Sequence, residues 1–213
     1  MVNNSMEHLV NPDQLPLTVG ILIFDNVEVM DVTGPFEVFS VTRLKGQNRF
    51  EDSSPFRVIL IAESSDQITA FGGLRLTPDF TFNTCPNVDL LIIPGGYGTR
   101  KEVKNEVILK WISNKIPQSK LTASICTGSS LIGKTGLLDN RTATTHWNAF
   151  NFLQESAPRT HIEKNVRFTL EEPIFTSSGV THGIDLSLYI VSYFLGLDVG
   201  RSTARYMDYP YPD

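Results

Sequence analysis

The sequence predicts an α/β fold: a mostly parallel sheet with helices on both faces. Three observations carry that reading. A continuous apolar run occupies residues 18–24, and similar, mostly apolar runs follow at 56–62, 88–93 and 121–125, the pattern of strands covered on both sides. Helical patterns separate them, and strands alternating with helices build parallel sheets. Each run also empties into a polar or glycine-rich loop, as expected where ligands gather at the carboxyl ends of such strands.

In order along the chain, residues 1–17 are polar, contain Pro12 and Pro16 and lack periodicity, so they read as a flexible N-terminal arm; a single domain is expected over 18–213. The run 18–24 is the first strand and leads to Asp31. Thr33-Gly34-Pro35 opens a helix expected over 34–44. The second strand is 56–62, and 74–80 reads as a small antiparallel addition. The run 88–93 leads to Pro94-Gly95-Gly96, followed by a helix over 101–115. The run 121–125 ends on Cys126 and a helix over 127–135. A weaker strand over 141–145 leads to His146 and a helix over 147–154. Residues 166–170 and 174–176 read as a further antiparallel pair, ending near Ser178 and His182, before a last helix over 183–195.

Composition narrows the functional classes. A formal net charge of −5, with no Lys/Arg cluster to track a phosphate backbone, argues against nucleic acid as a partner. No apolar run approaches membrane-spanning length. The N-terminus has neither a basic segment nor an apolar one, and Cys85 and Cys126 are the only cysteines, so a reducing cytoplasm is the expected compartment. Without Cys-x-x-Cys, His-Glu-x-x-His or closely spaced ligands, no metal is expected. Pro94-Gly95-Gly96-Tyr97-Gly98 has the spacing of neither a phosphate loop nor a dinucleotide fingerprint, so no nucleotide cofactor is expected either.

The segment Ser124-Ile125-Cys126-Thr127-Gly128 sets a thiol on a strand-to-helix turn. There a helix dipole and free N–H groups favour thiolate, which makes Cys126 a candidate nucleophile; a buried structural cysteine is the other reading. Asp31, among apolar neighbours, either caps the following helix or is a desolvated acid that shares a proton with that sulfur. Gly95 and Gly96 either make a plain turn or leave bare N–H groups as an oxyanion hole. His146 and His182 stand at strand ends where a base for the cysteine could sit, or are ordinary satisfied polar residues. His8 and His161 are expected at the surface, and Cys85, before Pro86, in a connecting loop. Phe36, Val38 and Phe39, with the aromatic tail 206–211, supply apolar area either to the core or to a partner subunit.

Together, Asp31-x-Thr33-Gly34-Pro35, Pro94-Gly95-Gly96, Cys126-Thr127-Gly128, Ala143-Thr144-Thr145-His146-Trp147 and Gly183-Ile184-Asp185 resemble the ThiJ/PfpI family of the class I glutamine-amidotransferase-like superfamily, over nearly the whole chain. The resemblance implies a flavodoxin-like three-layer sandwich with a nucleophile elbow, a reactive cysteine with an acidic partner, no cofactor and a homodimer. The wording of the Asp31, Cys126 and His146 motifs is most similar to the isonitrile hydratase branch. That branch implies a small electrophilic substrate: Cys126 attacks an isocyanide carbon, Asp31 moves the proton, Thr127 orients the intermediate, and water releases an N-substituted formamide. His182 stands where related sequences have a small residue, implying a narrower or more polar pocket. Glyoxalase or deglycase action on α-oxoaldehydes is the alternative within enzymes, and a cysteine redox sensor the alternative outside them. An amidotransferase triad is not expected, since no Glu lies two residues beyond His146 or His182.

Overall fold

In the computed structural model, residues 10–210 are described. The strands are β1 (Leu17–Leu22), β2 (Phe56–Ala62), β3 (Ile68–Thr69), β4 (Arg75–Leu76), β5 (Phe80–Thr81), β6 (Leu90–Ile93), β7 (Leu121–Ile125), β8 (Thr142–Ala143), β9 (His161–Ile162), β10 (Phe168–Glu171) and β11 (Ile174–Ser177). The α-helices are α1 (Val29–Val41), α2 (Thr99–Glu102), α3 (Glu106–Lys115), α4 (Gly128–Lys134), α5 (Phe150–Ser156), α6 (His182–Leu195) and α7 (Leu197–Tyr206). Seven strands form one sheet in the order β10-β11-β7-β6-β1-β2-β5. All neighbours in it run parallel except β10, which is antiparallel to β11 at the edge. Helices flank the sheet, with α1, α6 and α7 packing together in one layer and α3, α4 and α5 in another.

Burial explains why β6 is wholly apolar and why β7 interrupts its apolar run only with the small side chains of Thr122 and Ser124. Every residue of β6 and β7 is buried, so neither strand has a solvent face to encode. Burying one Ile or Leu side chain contributes roughly 1.5–3 kcal/mol. Several such residues, among them Ile21, Leu90, Ile92 and Ile93, have no exposed surface at all.

The order of strands places the site. After β1 the chain turns outward to β2, and after β6 it turns the other way to β7. Adjacent strands whose connections diverge leave a crevice beyond their carboxyl ends. Asp31 follows β1, Gly95 follows β6, and Cys126 follows the neighbouring β7.

Several sequence expectations change. α1 starts at Val29, five residues early, so Asp31 lies in its first turn and is not its cap; the cap position belongs to Glu28. The helix begins before Thr33-Gly34-Pro35 because Pro35 is carried inside it, its ring nitrogen unable to donate to the carbonyl of Asp31. The helix over 101–115 is two helices, because Asn105 accepts from Val107 N and Ile108 N and starts α3 afresh. The 141–145 strand shrinks to β8, which pairs with β9 outside the main sheet. β11 is no antiparallel addition: it pairs parallel with β7 and extends the sheet, and within that sheet β10 alone is antiparallel. Within 74–80, β4 pairs antiparallel with β3, whereas β5, at the end of that segment, joins β2 in parallel.

Of the N-terminal arm, residues 1–9, with His8, lie outside the described residues, as does Tyr211 of the aromatic tail. Residues 12–14 form a 3-10 turn, and Val10 N donates to Phe194 O at 3.0 Å. Val38 and Phe39 belong to the core, while Phe36 stays 39% exposed. Cys85 is half-buried and bonds the carbonyl of Pro86, and His161 is exposed. No helix among the described residues is long and apolar enough to cross a membrane.

Candidate active site

Cys126 sits on the expected elbow. Its φ is +53°, a left-handed conformation that costs a non-glycine residue on the order of 1–3 kcal/mol. Backbone anchors hold it there: Cys126 N donates to Ser177 O at 3.0 Å, and its carbonyl accepts from Thr145 Oγ1 at 2.9 Å and Ser129 Oγ at 3.2 Å. Two residues on, Gly128 passes so close to β6 that a Cβ there would stand 2.0 Å from Ile93 O. Gly128→Ala is therefore expected to destabilise the fold by about 3 kcal/mol, seen as a lower urea midpoint at unchanged slope.

Asp31 is fully buried, and its Oδ2 accepts from Gly95 N at 2.9 Å. Its Oδ1 has no hydrogen-bond partner among the described residues. Burial is the main cause that lifts its carboxyl from 3.8 to about 8; the Gly95 N–H opposes this, and the charge of Glu28 adds to it. At neutral pH Asp31 thus holds its proton, as the desolvated-acid reading expects. Cys126 is 7% exposed.

The expected resting thiolate is not found. Burial and then the charge of Asp31 push the thiol up to about 12, against hydrogen bonds from the N–H and hydroxyl of Thr127. The reason is physical: α4 has seven residues, and the field at its start does not offset desolvation next to an acid. The site therefore rests neutral, with a carboxylic acid beside a thiol.

The N–H groups of Gly95 and Gly96 are not bare either. Gly95 N–H is spent on Asp31, and Gly96 N–H donates to Thr127 Oγ1 at 3.0 Å. Gly96 needs to be glycine on two counts: its φ is +119°, and a Cβ would meet Glu28 N at 2.3 Å. Thr99 completes this knot, its Oγ1 lying 2.8 Å from Gly96 O and 3.1 Å from Thr127 Oγ1. The glycine loop thus clamps Asp31 and Thr127 in place and presents no prepared oxyanion hole.

The two histidines lie elsewhere. His146 caps a 3-10 turn over 147–149, its Nδ1 accepting from Asn148 N at 3.3 Å, and burial holds its ring below the ordinary histidine range. His182 Nδ1 lies 2.8 Å from Ser178 Oγ. Both line a cleft of about 560 Å³ together with Thr145, Trp147 and Arg167. Neither Cys126 nor Asp31 lines it, but Thr145 joins the two places, since its hydroxyl holds the carbonyl of Cys126. The structure thus brings together Asp31, Gly95, Gly96, Cys126 and Thr127, and sets His146 and His182 in an adjoining cleft without a bond to the sulfur.

Sequence reasoning missed Glu28, Thr99 and Arg167. Glu28 could have been found, since it lies three residues before Asp31 at a helix start, one turn away on the same face. Thr99 and Arg167 carry no such signal, because they reach the site only through the packing of distant loops.

Chemically, a neutral acid and a neutral thiol can add S–H across an electrophile while moving one proton, with no histidine and no free oxyanion donor. The pattern of the DJ-1/PfpI family matches residues 17–193. An isonitrile hydratase of Pseudomonas putida is 31% identical over 196 residues, 92% of this chain and 79% of that protein. The transcriptional regulator GbdR of Pseudomonas aeruginosa is 26% identical over 91% of this chain, which spans about half (51%) of the regulator. A crystal structure of a ThiJ/PfpI family protein from Pseudomonas syringae superposes with a TM-score of 0.79 at 26% identity, covering 96% of this chain and 81% of that one. In sequence and in flavodoxin-like fold alike, this chain belongs to the DJ-1/PfpI family.

Proposed function

We propose that the chain is a cysteine-dependent, cofactor-independent enzyme that hydrates isonitriles to N-substituted formamides, with Cys126 as nucleophile, Asp31 as proton carrier and Thr127 as the orienting group. The observation that carries this is the buried Asp31 carboxyl, titrating at about 8 beside an elbow cysteine. The terminal carbon of an isocyanide must gain both a nucleophile and a proton, and a neutral acid–thiol pair supplies both. Asp31 gives its proton to that carbon as Sγ bonds to it, and the thiol proton passes to the vacated carboxylate. The product is Cys126–S–CH=N–R, with Asp31 again protonated. Water then adds across C=N to give S–CH(OH)–NH–R. The C–S bond breaks, the hydroxyl proton returns to sulfur, and HC(=O)–NH–R leaves.

Acyl transfer fits less well. It calls for a base on the nucleophile and free donors for an oxyanion, whereas neither histidine bonds the Cys126 sulfur and the Gly95 and Gly96 N–H groups are engaged. The likeness to an isonitrile hydratase supports the same choice. We include in the proposal a cytoplasmic homodimer, to which the exposed Met30 and Phe36 of α1 would contribute. The test is direct: incubated with an isocyanide, the protein yields the formamide, read by its formyl proton in NMR. Consumption of methylglyoxal without formamide would transfer the site to glyoxalase or deglycase chemistry. Inertness toward both, with selective oxidation of Cys126 by mild peroxide in intact-mass spectra, would make it a sensor.

A further inference from the structure

We propose that the cleft beside the elbow is a subsite for a carboxylate at the far end of the substrate, with Arg167 as its charged contact; this rests on the hydration reading for where the reacting carbon lies. The cleft has the volume of a small-molecule site, about 560 Å³, and its lining includes Thr145, whose hydroxyl donates to the main-chain carbonyl of Cys126. In a chain of net charge −5, the described residues of its lining include the arginine Arg167 and no Asp or Glu.

Arg167 is pinned from one side. Its Nη1 lies 3.4 Å from Asp185 Oδ2, and Asp185 Oδ1 in turn accepts from Tyr209 OH at 3.0 Å. Among the described residues that contact leaves the rest of the guanidinium fork, on a side chain 60% exposed, open to a planar two-oxygen acceptor. Asn165 and His182, both in the lining, add polar groups, and Trp147 and Phe150 supply apolar wall for a short carbon chain. A substrate suited to both places is an ω-isocyano carboxylate, with the isocyanide at Cys126 and the carboxylate at Arg167.

The probes are ω-isocyano carboxylates of two to six carbons, their methyl esters, and the matching N-formyl-ω-amino acids and esters. At the best chain length the free acid should exceed its ester in kcat/KM by on the order of tenfold or more, the worth of a hydrogen bond to a charged group. Arg167→Gln should erase that acid-over-ester ratio, and Arg167→Lys should keep part of it. Because loss of Arg167 strands Asp185 and could impair folding, wild-type protein provides a second reading. The N-formyl acid, and not its ester, should shield Arg167 from phenylglyoxal, read by peptide mass. Equal handling of acid and ester, or shielding by neither, overturns the subsite. If no isocyanide turns over yet the N-formyl acid shields Arg167, the hydration reading falls and the subsite stands.

Discussion

Cys126→Ala removes formamide formation, lowering kcat/KM by on the order of 10⁴ or more, while leaving the fold intact. Loss of a nucleophile that forms a covalent intermediate has effects of this size. The anchors of the elbow are main-chain groups, Cys126 N to Ser177 O and Cys126 O to the Thr145 and Ser129 hydroxyls, and alanine keeps all of them. Alanine also keeps a Cβ at φ +53°, so the backbone strain is unchanged. Cys126→Ser should fall nearly as far, because an alkoxide is harder to form than a thiolate where burial already pushes the thiol up to about 12. Near-UV circular dichroism and thermal melting check the fold, and NMR follows the formamide. Turnover by the alanine variant within tenfold of wild type would remove Cys126 from the chemistry.

The sequence disclosed those parts of the fold that repeat a local rule. Mostly apolar runs gave β1, β2, β6 and β7, of which β6 and β7 are buried at every residue, and the Cys-Thr-Gly turn gave the elbow. Elements whose register depends on remote partners were less legible. Ile174–Ser177 is four residues long, and only its pairing with β7 makes it a parallel sheet member. α7 was not anticipated: its Gly200 packs where a Cβ would meet Ser192 Oγ at 1.9 Å, a tertiary contact that no periodicity encodes. At the site, the residue types were legible and their electrostatics were not. Helix position argued for a thiolate, whereas the balance is set by how much water is excluded from Asp31 and Cys126 together. The engagement of the Gly95 and Gly96 N–H groups was equally invisible, because it depends on Asp31 and Thr127 folding back onto that loop.

Asp31→Asn separates catalysis from stability, and the two should move in opposite directions. Removing the proton carrier lowers kcat/KM by about 10²–10⁴-fold. In wild type the protonated acid is the working form, so kcat/KM should fall as pH rises through about 8, and the variant's residual activity should lack that limb. The stability argument has its own sign. The folded carboxyl titrates at about 8 and the unfolded one near 3.8, so both are protonated below about 4 and Asp31 then costs nothing. Between about 4 and 8 the unfolded chain ionises while the folded one cannot, and stability drains away, by roughly 4 kcal/mol at pH 7. Asparagine does not titrate and keeps an oxygen for Gly95 N–H, so it escapes this loss, apart from a buried N–H2 left without a partner at about 1–2 kcal/mol. The variant should therefore melt on the order of 5–10 °C higher at pH 7. Its advantage should shrink toward pH 4 and level off above about 8. A variant no more stable than wild type across that range, or a wild-type rate that does not decline above pH 8, would mean that Asp31 is ionised in the folded protein and cannot be the group that protonates the isocyanide carbon.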